Sequence, residues 1–416
     1  MKPVYDVIVV GAGAAGMAAA ISAGEKGARV AVLEKGEKAG RKVLASGNGR
    51  CNLMNHGMLR YYGDVSFAHR VMEICTADDL AAFFRKYGLM ISEEEDGRSY
   101  PFSRQSATVT GVLMDAMKIN GAELFLNSAV SGVRRERDGF TVGLSSGENF
   151  RTGRVIISCG GEAQSRLGGS TDGYAFLKSL GHSVTNVFPS LVPLITEPKA
   201  VSGLSGIRVR CRVTLFNDGA PVHREHGEVL FTEYGISGIC VMQCSRFILP
   251  PGSVIELNLA GDVFAGTADL AAELQKRRGL FGAFPPVVLL EGFLAPRVSY
   301  AVLKQAGIPL RGETVSELSD AQLERIAESA FHYRIPVLGT KGMEFAQVTA
   351  GGACCGEFSC KTMESLIIPG LYAAGEVLDV DGDCGGFNLM FAFASGRIAG
   401  LSAGCGPSRS EGRELP

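Results

Sequence analysis

Three aspartates alternate at Asp379, Asp381 and Asp383 in the stretch GEVLDVDGDCGGFN (375–388), the spacing with which an EF-hand calcium loop begins. Such a loop needs Gly at its sixth position and a bidentate Glu at its twelfth; counted from Asp379, those positions are Cys384 and Met390. Calcium is therefore not expected. Cys355 and Cys360 have a C-x4-C spacing, with Cys354 and Cys384 nearby, but no C-x2-C pair, H-x-H or carboxylate pattern accompanies them. A zinc site is not expected either. Cys51 has no cysteine four residues away, which argues against a redox disulfide. It is read as a candidate substrate-facing proton donor, beside the plainer reading of a small packed thiol. His182, His223, His226 and His332 join no recognisable constellation and are read as ordinary residues.

The elements that must position any chemistry begin at the N-terminal end. YDVIVV (5–10) is an apolar, β-rich run leading into GAGAAG, which is G-x-G-x-x-G at Gly11, Gly13 and Gly16. A helix-forming segment follows, starting at Ala14 and Ala15, and then a second strand, ARVAVLE (28–34), ending in Glu34. The three glycines serve a tight turn, close approach of backbone to a pyrophosphate, and close helix–strand packing. The helix start offers unpaired N–H groups and a positive dipole end to phosphate, and the terminal acid suits an adenosine ribose. Strand, glycines, helix, strand and acid in this order predict a dinucleotide site, with FAD and NAD both open.

Bulk composition narrows the class. At 416 residues the chain is too long for one ordinary core, so two or three domains are expected. A net charge of −2 advertises no global field for nucleic acid or an anionic membrane. Eleven cysteines, an odd number spread along the chain, do not read as a disulfide framework. Reduced thiols in a cytoplasmic protein are expected. The apolar stretch after Lys2 is interrupted by Asp6 and glycines, so it is not read as a signal peptide. No run approaches 18 apolar residues, and no membrane span is expected.

Directly after Glu34 comes KGEKAGRKVLASGNGRCNLMN (35–55), where NAD domains usually continue into a plain βα unit. Arg41, Lys42 and Arg50 sit there among small residues, which suits a long anionic cofactor better than a solvated basic loop. With GRSYPFS (97–103), VTAGG (348–352), TMES (362–365) and GLYAAGEVLDVDGDCGGFN (370–388), this stretch resembles the aminoacetone-oxidase-like flavoproteins that include BaiN-type bile-acid reductases. The resemblance covers nearly the whole chain and implies FAD. It implies cofactor contacts along Lys35, Arg41, Lys42, Ser46, Gly47, Asn48, Gly49, Arg50, Cys51 and Asn52, at Val130 beside adenine, and at Cys159, Gly160 and Gly161 at the end of VIISCGG. The chain would return through Gly375 and Glu376 to a helix opened by Gly385, Gly386, Phe387, Asn388 and Leu389, whose N-terminus points at the flavin. A helix dipole there stabilises the negative charge of reduced flavin. Asp383 and its neighbours then cap the turn and line the site. Arg98 and Ser103 become candidates for the substrate pocket, against a surface-loop alternative.

The expected architecture is α/β: a Rossmann-like FAD-binding domain with a doubly wound parallel sheet, from 1–189 and 342–416, interrupted by an inserted substrate domain at 190–341. Alternating strands at about 190–262 suggest an antiparallel barrel, and about 263–333 reads as helical, with Ser319 as N-cap and Gln322 three residues on. Such an insertion would cover the flavin and set substrate choice. No second G-x-G-x-x-G follows a strand, so NAD(P)H is expected as a transient donor. The resemblance implies reduction of a polarised C=C bond, first of a small, apolar 3-oxo steroid of the bile-acid type. Uracil C5=C6 in ribosomal RNA is the alternative, and amine oxidation a third. Arg208, Arg210 and Arg212 alternate along one strand and, with Lys276, Arg277 and Arg278, offer an RNA patch; a solvated sheet face is the plainer expectation.

Overall fold

The computed structural model describes residues 5–405. The chain divides into two compact units, one formed by the segments up to Phe188 and from Gln347, the other by Pro189–Ala346.

The first unit is built on a seven-stranded sheet. Tyr5–Val10 lies at its middle, parallel to Val30–Leu33 on one side and to Asn149–Ile157 on the other. Glu123–Phe125 and Leu371–Ala373 extend the parallel part, and the hairpin Val130–Glu136 and Gly139–Leu144 closes the far edge. The central strands are β-branched and buried on both faces, as parallel strands covered by helices must be.

Two helices pack unusually closely in this unit. Ala14–Gly24 and Phe387–Gly404 meet along small residues: a Cβ at Gly396, Gly400 or Gly404 would lie 2.2, 2.2 and 2.8 Å from the carbonyl oxygens of Ala15, Ala19 and Ala23. Both members of this pairing advance by four residues in the same sense, so the helices run parallel. Only glycine lets the backbones approach so far. The longer helix starts nine residues before Gly396, the shorter one residue before Ala15. At 1.5 Å per residue, the two N-termini are staggered by about 12 Å along the helix axis.

The second unit is a closed antiparallel barrel in the order Leu194–Thr196, Gly235–Ser237, Ala220–Phe231, Arg208–Asn217, Ser253–Asn258, Tyr333–Thr340. Alternate residues Cys211, Val213 and Leu215 point into its core. Helices Thr267–Phe281, Pro296–Gln305 and Asp320–Phe331 accompany it, the last with the expected capping box between Ser319 and Gln322. The barrel does not end near residue 262. It takes its closing strand, Tyr333–Thr340, from beyond the helices, where YRIPVLGT alternates buried and exposed residues.

Candidate functional site

The first glycine turn shows three separate roles. Gly11 has φ +99°, and a Cβ there would lie 2.8 Å from the Ser158 carbonyl oxygen. A Cβ on Gly16 would lie 1.9 Å from the carbonyl oxygen of Gly11. Gly13, between them, has ordinary extended backbone, and a Cβ there would meet nothing within 4 Å. Two glycines are therefore demanded by the protein itself, and the third faces open space at the start of a helix with no acid in its first turn. That combination fits a pyrophosphate. Ala14 and Ala15 are buried at the helix start.

Glu34 closes the second strand and is fixed by backbone: Ala12 N–H donates to its Oε2 at 2.9 Å and Gly36 N–H to its Oε1 at 2.7 Å. Beyond it the cations are largely committed. Lys35 pairs with Asp172, the Arg41 guanidinium donates to the Arg166 carbonyl, and Lys42 reaches Glu376 at 3.1 Å and the Gly161 carbonyl at 3.4 Å. The Glu376 Oε1 also accepts from the Thr349 N–H, and Thr349 Oγ1 accepts from the Ala163 N–H. Lys42, Glu376, Thr349 and the loop at Gly160–Gly161 thus form one brace between distant parts of the chain. Cys159 is half-buried beside them, and Val130 starts its strand half-buried. Thr349 was not singled out from the sequence, although it lies within VTAGG.

In the segment SGNGRC the backbone turns left-handed at Gly47, Asn48, Gly49 and Cys51 (φ +57°, +55°, +81° and +58°). Asn48 and Cys51 adopt this conformation with a side chain present, a strain that concentrates at functional loops. The Ser46 hydroxyl donates to the Val43 carbonyl at 2.7 Å. Gly47, Asn48, Gly49 and Arg50 are exposed.

The second glycine turn stands in front of the helix Phe387–Gly404. Gly385 and Gly386 have φ +129° and +105°, and a Cβ on Gly386 would lie 2.6 Å from the Met54 carbonyl oxygen. The helix has no acid in its first turn and no side chain capping it, so its N-terminal N–H groups are left for a ligand. Asn55 Nδ2 holds the Gly385 carbonyl at 2.9 Å. The Asn52 Oδ1 is sealed from solvent, has no hydrogen-bond partner, and lies 2.8 Å from where a Gly386 side chain would begin. The uncapped N–H donors of the helix start fit a group carrying carbonyl acceptors, as the pyrimidine edge of a flavin does. Gly375 lies between the two helix starts, 2.9 Å from Ala15 Cβ if it carried a Cβ of its own.

Several sequence expectations are corrected here. Cys51 is wholly buried, and desolvation pushes its thiol up to about 11, so it has no substrate-facing side from which to give a proton. Ser103 lies in an exposed turn, hydrogen-bonded to Thr108. Of the three catalytic candidates Arg98 alone borders the second glycine turn, its Nε 3.5 Å from a Gly385 Cβ and 3.2 Å from Asp96. Asn388 spends its amide on the turn, accepting from the Gly382 N–H and donating to the Gly382 carbonyl; Leu389 is half-buried beside it. Asp383 is committed to neighbours within the chain. Val380–Gly382 pairs with Tyr61–Gly63, and Asp383 accepts from the Tyr62 hydroxyl at 2.9 Å with Arg60 at 3.5 Å. No three His, Cys, Asp or Glu side chains among the described residues converge as metal ligands.

His182 proves less ordinary than expected. Its Nδ1 is 2.8 Å from Glu357, its Nε2 is 2.9 Å from the Ser365 hydroxyl, and its ring stacks on Phe358. Ser365 Oγ already accepts the N–H groups of Ile367 and Ile368. The hydroxyl is thus fully occupied inside the protein, and the arrangement braces the segment before Leu371–Ala373.

Residues 5–402 match the HI0933-like protein Rossmann domain. The chain belongs to that family. It is 34% identical over 406 residues to the 3-dehydro-bile acid delta(4,6)-reductase of Clostridium scindens, covering 95% of this chain and 98% of the relative. It is 31% identical over 404 residues to the ribosomal RNA dihydrouridine synthase of Escherichia coli K12, covering 94% and 96%. Among solved structures, the open conformation of a flavocytochrome c3 fumarate reductase superposes with a TM-score of 0.50 at 18% identity, over 97% of this chain and 78% of that one. At that identity the likeness concerns the fold. No helix among the described residues is long and apolar enough to cross a membrane.

Proposed function

We propose that this family member is an FAD-dependent oxidoreductase that reduces a C=C bond conjugated to a carbonyl, taking electrons from a transiently bound NAD(P)H. One observation carries the cofactor reading: two parallel helix N-termini, staggered by about 12 Å, each preceded by a glycine turn and free of acids in its first turn. A nicotinamide dinucleotide asks for one such terminus. FAD asks for two, one at its pyrophosphate and one at the electron-rich edge of its ring.

When bound, FAD supplies a two-electron carrier that delivers hydride from its reduced ring to substrate. The chain's own residues do the remaining work. The open position at Gly13 and the N–H groups behind it hold pyrophosphate, and the Lys42–Glu376–Thr349 brace fixes the loop beside it. The N-terminus of Phe387–Gly404 and the Arg98 guanidinium stabilise negative charge. The proton that accompanies the hydride comes from solvent water in this scheme, since the buried Cys51 thiol is out of reach.

The leading substrate is a 3-oxo steroid of the dehydro bile-acid type, on the 34% identity to such a reductase. Uracil C5=C6 in ribosomal RNA is the second reading. It presents the same conjugated C=C, and a cationic barrel face described below favours it. The test is anaerobic: reduce the protein, add a 3-oxo-4,6-diene steroid or a large-subunit ribosomal RNA transcript, and follow the flavin absorbance. Its return with one of them is the expected result. No return with either, in a protein that bleaches with NAD(P)H, would contradict enone reduction.

A further inference from the structure

The outer face of the hairpin Arg208–Asn217 and Ala220–Phe231 carries more cations than its neighbours can neutralise. Inward positions are core (Cys211, Val213, Leu215, Val229), so the alternate residues Arg208, Arg210 and Arg212 all face outward. Register places Arg210 opposite Glu228, Arg212 opposite His226, and Arg224 opposite Thr214. The acids on this side of the barrel are already engaged. Glu228 pairs with Arg208, Asp262 with His226, and Glu256 with Arg334 and His332. Arg210, Arg212 and Arg224 are exposed and have no ion pair or hydrogen bond among the described residues.

The helix cations behave differently. Arg277 binds Glu273 and the carbonyls of Leu289 and Glu291, Arg278 binds Asp320, and Lys276 lies 3.7 Å from Glu273. Arg277 and Arg278 are internal braces and Lys276 is a lone exposed cation beside Glu273, so the wider basic patch expected from the sequence contracts to the hairpin.

We propose that this hairpin face is a docking surface for the phosphodiester backbone of a folded RNA. Residues two apart on one strand stand about 7 Å from each other, and each guanidinium offers a planar fork matched to phosphate. The three unpaired arginines thus form a short, rigid array of phosphate ligands. The face between them holds Thr214, His226 and Asn258, and the one exposed aliphatic side chain on this strand, Val222, lies beyond Arg224 toward the hairpin turn; a single valine is too little to insert into a bilayer, which argues against a lipid surface. This surface deepens the second substrate reading, and it is tested by binding, so its failure and the failure of enone reduction are distinguishable.

The experiment compares the full-length protein with the triple variant Arg210→Gln, Arg212→Gln, Arg224→Gln. Binding to a fluorescent large-subunit ribosomal RNA transcript is titrated across salt concentrations, with polyglutamate and vesicles containing phosphatidylserine as competitors. Losing three phosphate contacts flattens the log K against log salt slope by about 2 to 3 and weakens low-salt binding more than tenfold. The triple Lys variant restores most of the slope. Because all three side chains project outward, bound FAD and melting temperature stay unchanged. An unchanged slope in the Gln variant would overturn the proposal. So would equal displacement of the RNA by polyglutamate or by vesicles.

Discussion

The two glycine turns of the Rossmann unit use the same residue for opposite reasons. At Gly13 a side chain would meet nothing within 4 Å, so no neighbour in the polypeptide demands the glycine; in the proposed reading a pyrophosphate does. At Gly386 a side chain would run into the Met54 carbonyl, and the backbone is left-handed besides, so the glycine answers to the fold. Removing the first should cost ligand and spare structure; removing the second should cost structure first. Both turns introduce a helix, and only their surroundings tell them apart.

Mutation can separate these demands. Gly13→Val should abolish FAD binding, since the side chain fills the space left for pyrophosphate. Apart from about 1 kcal/mol for a poorer helix cap, the apoprotein should keep its stability. Equal FAD content in variant and parent would break the comparison. Gly386→Ala should instead destabilise the protein by roughly 2–3 kcal/mol through strain at φ +105° and backbone overlap. Denaturant titration without added FAD measures it, and an unshifted midpoint would show that the turn tolerates a side chain.

The brace around His182 provides a smaller effect. Burial raises the Glu357 pKa, but hydrogen bonds from Ser183 and from the His182 ring outweigh it, and the net shift is downward. A lowered carboxylate contributes stability above its unfolded pKa and loses it as pH falls through the folded one. Glu357→Gln should therefore cost about 1–2 kcal/mol near neutrality. The gap to wild type should close below about pH 4, the unfolded carboxylate range. A constant gap across pH would refute this assignment.

The shape of the N-terminal turn was legible in the sequence because its spacing sets the local steric demands at Gly11 and Gly16 within six residues. The C-terminal turn was legible in its glycines and misleading in its aspartates. Asp383 belongs to a contact with Arg60 and Tyr62, more than 300 residues earlier, and no local pattern reports a partner that distant. The closing barrel strand at Tyr333–Thr340 escaped for the same reason, since three helices separate it from the other strands. Cys51 stood in the right segment, but whether a thiol faces a pocket or a core is decided by packing. Consistent with its burial and a thiol pushed up to about 11, Cys51 should resist iodoacetamide in the folded protein at pH 8 and react once unfolded. Rapid native labelling at that position would reopen its candidacy as a proton donor.

The central claim is that two staggered helix N-termini, one behind each glycine turn, together hold a flavin dinucleotide. The direct measurement is the absorbance spectrum and cofactor content of the natively purified protein, after supplementation with FAD and gel filtration. The expected result is a yellow protein that retains about one FAD per chain, one for its single glycine fingerprint, and that does not retain NAD in its place. A colourless protein that fails to take up FAD, or one that holds NAD instead, would contradict it.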